Sequence, residues 1–78
     1  MTHPYGPTTT PDFDLLRNQA RRMSIADLLW SANDASEAAH CAEEIEQAGR
    51  KTLKTGGFYR DEAAFFRYEA RKRQEATQ

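Results

Sequence analysis

The chain has 78 residues, 38% of them hydrophobic, with a net charge of −1 and a single cysteine. That length allows one small domain with a thin core, in which about 60% of the unfolded surface is removed from water. The near-neutral charge excludes a general attraction to nucleic acid or anionic membrane, and the lone Cys41 excludes an intramolecular disulfide and a cysteine-based metal cage.

No apolar run is long enough for a signal-sequence core or a membrane span, which points to the cytoplasm. Many of the hydrophobic residues are alanines, each burying little. Small helical proteins with thin cores gain stability by oligomerising, so a homodimer is expected. Cys41 itself is expected to be a small buried apolar residue.

In chain order, "MTHPYGPTTTP" carries all three prolines. It cannot sustain helical hydrogen bonds, and residues 1–10 read as a flexible arm. A short helix over about 11–22 follows, with Thr10 as its cap and Pro11 in its first turn. Phe13, Leu16 and Ala20 share one face, and the order Asp12, Asp14, then Arg21, Arg22 complements the dipole.

"SIAD" then opens the second helix as a capping box, with Ser24 as the cap and Asp27 three residues on. Ile25, Leu28, Leu29, Ala32, Ala35, Ala39, Ala42, Ile45 and Gly49 recur at helical spacing, predicting a helix over about 24–52. The middle of that face is small, so a neighbouring helix can approach closely. Gly56-Gly57 is the strongest breaker and a source of left-handed backbone.

The last helix is expected over about 58–75. Tyr59, Ala63, Phe66 and Ala70 form one stripe, and Phe58, Phe65 and Tyr68 a second beside it. The combined face is wider than an alanine-rich partner covers, which assigns Phe58, Phe65, Phe66 and Tyr68 to the core or a dimer interface.

Charge is segregated. Six acids and no Lys or Arg lie between Ser24 and Glu46, while bases flank the block and close the chain. Folding the last helix back over Gly56-Gly57 produces an all-α protein: a short N-terminal helix, then a long antiparallel αα-hairpin. Its basic end is expected beside Asp34 and Glu37.

Enzymatic chemistry finds no support. His40 and Cys41 point about 100° apart on a helix and cannot share a metal, and His3 lies in the arm. "GRKTLKTGG" follows a helix where a phosphate loop needs a strand. Glu43, Glu44 and Glu46 read as solvated acids. The expectation is no enzyme, no metal and no cofactor.

Two binding surfaces stand out. Arg67, Arg71, Lys72 and Arg73 could contact phosphates while aromatics stack on bases, which makes a small nucleic-acid-binding or regulatory protein the alternative function. Against it, acids outnumber bases twelve to eleven. The same four residues, with Trp30, are the candidate contacts for a protein partner, since Trp and Arg dominate binding hot spots. The bland reading of Trp30 is packing against the helix that carries Phe13 and Leu16.

"SIADLLWSANDASEAA", "KTGGFYRDEA" and the tail "EARKR" resemble segments of small uncharacterised helical-hairpin proteins of tailed bacteriophages and prophages. The likeness falls on Ser24 to Leu28, Gly57 to Glu62 and Arg71 to Arg73. Its connector differs from the Pro-containing turn common in such proteins. The resemblance implies a phage accessory protein without catalytic residues, acting in the host bacterial cell. It also implies binding and inhibition or modulation of a host protein, including a defence complex in the manner of an anti-CRISPR.

Overall fold

The computed structural model describes residues 8–77, which form three helices and no strand beyond one isolated bridge. They are α1 (Phe13–Ala20), α2 (Ile25–Gln47) and α3 (Gly56–Ala76). The all-α expectation holds. No helix among the described residues is long and apolar enough to cross a membrane.

Asp12, not Thr10, caps α1: the Leu15 amide donates to Asp12 Oδ1 at 3.2 Å. A carboxylate here satisfies a free amide and also meets the positive helix end, which a threonine two residues earlier cannot do. Pro11 stays just outside the helix and is buried.

The α2 capping box forms as expected. The Asp27 amide donates to Ser24 Oγ at 3.1 Å and the Ser24 amide to Asp27 Oδ2 at 3.4 Å. Leu28, Ala32, Ala35, Ala39 and Ala42 are buried. Leu29 and Ile45, expected on the same face, are each 41% exposed because they sit about 100° from its centre line.

The helix stops at Gln47 rather than continuing to residue 52. Gly49 adopts φ 84°, the left-handed conformation that ends helices at low steric cost. Its amide donates to the Glu46 carbonyl (2.9 Å) and the Arg50 amide to the Ile45 carbonyl (3.1 Å), closing a Schellman motif. The left-handed glycine is therefore Gly49, and Gly56-Gly57 open α3.

Thr55 caps α3, accepting from the Phe58 amide at 3.1 Å. At Gly56 the two long helices come so close that a Cβ would lie 2.5 Å from Glu43 Cγ. From there α3 lies along α2. Arg60 meets Glu43 near one end, and Arg67 Nη2 donates to Ser36 Oγ at 2.8 Å further on. Phe58, Ala63, Phe66 and Ala70 supply the buried face of α3. Large rings fill the space that alanines on α2 leave.

α1 covers the other side. Leu16 and Ala20 join Leu28, Ala32, Phe66 and Ala70 in one cluster, with Phe13, Met23 and Phe65 half-buried around it. The Phe13 and Phe65 rings lie 5.9 Å apart. The aromatic excess that suggested a second copy thus has an internal cover at Phe65, while Tyr68 stays 56% exposed.

Two ties hold α1 in place. Before it, the Thr8 amide donates to the Leu53 carbonyl (2.9 Å) and the Thr55 amide to the Thr8 carbonyl (3.0 Å). The arm expected over 1–10 is thus anchored at Thr8, and residues 1–7 lie outside the described chain. After it, the Arg73 guanidinium donates to the carbonyls of Ala20 and Met23.

Candidate functional site

Trp30 follows Leu28 by two residues, a rotation of about 200°, so the buried Leu28 places it on the opposite side of α2. It is 68% exposed. Packing against Phe13 and Leu16 is excluded, since Leu28 and Phe66 take that position. Cys41, expected inside, is exposed on the same outward side of α2.

The basic residues of α3 divide. Arg67 is bonded to Ser36 and Arg73 to the end of α1, so both are engaged within the fold. Lys72 pairs with Glu69 at 3.2 Å, and its Nζ lies 5.0 Å from the Tyr68 ring centroid. Arg71 is exposed. The expected pairing of this tail with Asp34 and Glu37 is not formed. Arg73 turns towards backbone carbonyls instead, where a planar guanidinium satisfies two acceptors at a helix C-terminus at once.

Of the aromatic set, Phe58 and Phe66 are each 6% exposed and belong to the core. Lys54 Nζ lies 4.9 Å from the Phe58 ring centroid. Phe65 is half-buried against Phe13, and Tyr68 alone faces outward. Trp30 and the basic tail do not converge on one site. Lys72 and Arg73 gather with Glu69, Arg21 and Ile25 where α1 gives way to α2.

Two acids read as merely solvated have structural partners. Glu43 receives Arg60 in a bidentate pair, Nε to Oε2 at 2.5 Å and Nη2 to Oε1 at 2.7 Å. Hydrogen bonding from Arg60 holds the Glu43 carboxyl below its ordinary value, and the same bond raises Arg60. Glu46 Oε2 accepts from the Gly56 amide at 3.2 Å, with Thr52 Oγ1 3.3 Å away and donating to the nearer Lys54 carbonyl at 2.7 Å. A carboxylate there meets the positive end of α3. Helical spacing alone carries no signal for either role, because their partners arrive from across the turn.

Glu62 has the opposite shift. Partial burial pushes its carboxyl up, Lys54 opposes this, and the Asp34 charge adds to it. Glu62 and Lys54 border a cleft between α1 and α3 floored by Leu16 and Phe58. A second open groove, about 420 Å³, is lined by Cys41, Ile45, Leu53 and Tyr59. No cluster of three or more His, Cys, Asp or Glu side chains able to hold a metal occurs among the described residues.

No protein-family model, curated protein or solved structure matches the chain.

Proposed function

We propose that this chain is a non-enzymatic accessory protein of a bacteriophage or prophage. In this reading α2 and α3 form an antiparallel hairpin whose outward surface binds a host protein in the bacterial cytoplasm and inhibits or modulates it. A defence complex is the leading class of target. The hairpin pairs with a second copy through the Tyr68 side of α3.

The observation that carries the protein-binding part is Trp30, 68% exposed on the side of α2 opposite the core. A large aromatic ring in water gives up burial worth about 1.5–3 kcal/mol or more, and buried aromatic anchors dominate protein interfaces. The fold has no need of it there. The phage origin and the host target rest on the sequence resemblance.

Affinity capture from a bacterial host lysate, with tagged wild type and Trp30→Ala as parallel baits, tests the reading. One protein enriched by wild type and lost with Trp30→Ala, at unchanged helicity, is the expected result. Equal recovery by both baits removes Trp30 from the interface. Tight, salt-sensitive binding of single-stranded DNA or RNA by Arg71 and Lys72 promotes the nucleic-acid alternative.

A further inference from the structure

Trp30 stands at the head of a straight row. Asp34, Glu37, Cys41 and Glu44 follow at steps of four, three, four and three, and all five residues are exposed. That spacing keeps one direction on a helix for fourteen residues, about 21 Å. The row points away from the buried Leu28–Ala42 face, and at Cys41 it borders the groove shared with Leu53 and Tyr59.

Its charge is uncompensated. None of Asp34, Glu37 and Glu44 forms an ion pair among the described residues, whereas Glu43 and Glu46 on α2 are engaged by the start of α3. No Lys or Arg occurs from Ser24 to Glu46. Three bases of α3 are committed elsewhere: Arg60 to Glu43, Arg67 to Ser36 and Arg73 to the end of α1.

From the exposed ring and the open carboxylates in line with it, we infer that this row docks an arginine-bearing protein segment. The inference rests on the protein-binding reading above and adds the chemistry of the partner. An arginine stacks flat on an indole and, unlike lysine, presents a planar fork to a carboxylate. One arginine on Trp30 and others on Asp34, Glu37 and Glu44 satisfy every group in the row. Cys41, in the middle, is small enough to let the segment lie close.

Trp30 is the only tryptophan, so its fluorescence reports on this row alone. The probe is an alanine-based helical peptide with arginines on one face, beside versions carrying lysine or glutamate. The expected result is a saturable change in Trp30 emission with the arginine peptide, weaker with lysine, absent with glutamate, and reduced by salt. Replacing Asp34, Glu37 and Glu44 by Asn, Gln and Gln should weaken binding about fivefold each, roughly a hundredfold together, the upper range for exposed pairs. These side chains are solvent-facing, and unchanged helicity verifies the fold.

No saturable change with the arginine peptide, or an equal change with glutamate, overturns the inference. So does a response to single-stranded DNA, or one produced by concentrating the protein alone. The two readings separate cleanly. A host protein captured equally by wild type and the triple variant, yet lost with Trp30→Ala, leaves protein binding standing and removes the arginine chemistry. Arginine-peptide binding without any captured protein does the reverse.

Discussion

Adjacent glycines at the start of α3 have opposite requirements. A Cβ on Gly56 would press on Glu43 Cγ, whereas one on Gly57 meets only Thr55 Oγ1 at an ordinary 3.7 Å. Gly56→Ala should displace Glu43 from Arg60 and cost about 1–3 kcal/mol, as overpacking does. Gly57→Ala should stabilise by about 0.4–1 kcal/mol by restricting the unfolded chain. Thermal melts of the two variants therefore move in opposite directions; a shared direction would show that the close approach does not constrain the fold.

Charge at single residues predicts a pH signature with two signs. Glu43, held below its ordinary value of 4.5, contributes stability that is present above that value and is lost as pH falls through the lowered one. Glu62, raised above 4.5, binds its proton more tightly when folded, so stability declines as pH rises from 4.5 through the raised value. Denaturation of Glu43→Gln across pH 3–7 (an order-of-magnitude window about the carboxylate range) should show a stability gap to wild type that closes in acid. Glu62→Gln should instead gain on wild type as pH rises through that window.

At the scale of elements, α1 has eight residues, too few to be helical alone in water. It depends on Leu16 and Ala20 inside the core, on the Thr8 backbone bonds, and on Arg73. Arg73→Gln should loosen α1 selectively, at a cost of about 1.5–3 kcal/mol for hydrogen bonds from a charged donor. Amide exchange should then quicken in residues 13–20 while the middle of α2 stays protected. Phe66→Ala, by contrast, should cost about 3–5 kcal/mol and weaken the whole molecule, because Phe66 touches all three helices' cluster.

Legibility in the sequence follows distance along it. The Ser24–Asp27 box spans four residues and is readable, as is the Leu28–Ala42 face with its period of three and four. The opposite placement of Trp30 was implicit in the same periodicity. What the sequence hid was relational: Arg60 finds Glu43 across 17 residues, and Arg73 finds Met23 across 50. Those pairings depend on the register in which α3 meets α2. Gly56-Gly57 is the stronger breaker by composition, but Gly49 is the left-handed residue that ends α2, and Gly56-Gly57 lie inside α3.

For the whole molecule, the basic tail and the aromatic excess make separable predictions. Replacing Arg71 and Lys72 by Gln should change stability by no more than about 1 kcal/mol, since both are exposed. Including Arg73 should add the loss described for α1. The proposed second copy should appear in sedimentation at micromolar concentration as twice the chain mass. Tyr68→Glu should return it to a monomer, whereas Phe65→Glu should act through α1, because Phe13 covers that ring. A wild type that sediments as a monomer would leave Tyr68 without a partner in the fold and remove self-association from the reading.

The grip of Arg73 on Ala20, 53 residues earlier, also sets an order of events during synthesis. A chain leaves the ribosome N-terminus first, at about 5–20 residues per second, so the segment that becomes α1 emerges roughly 3–10 s before the side chain that fastens it. The first helix translated is thus the last to be secured. A product released before residue 66 would carry a complete α1 and α2, yet leave Leu16 and Leu28 in water without Phe66, the ring they pack with in the finished chain.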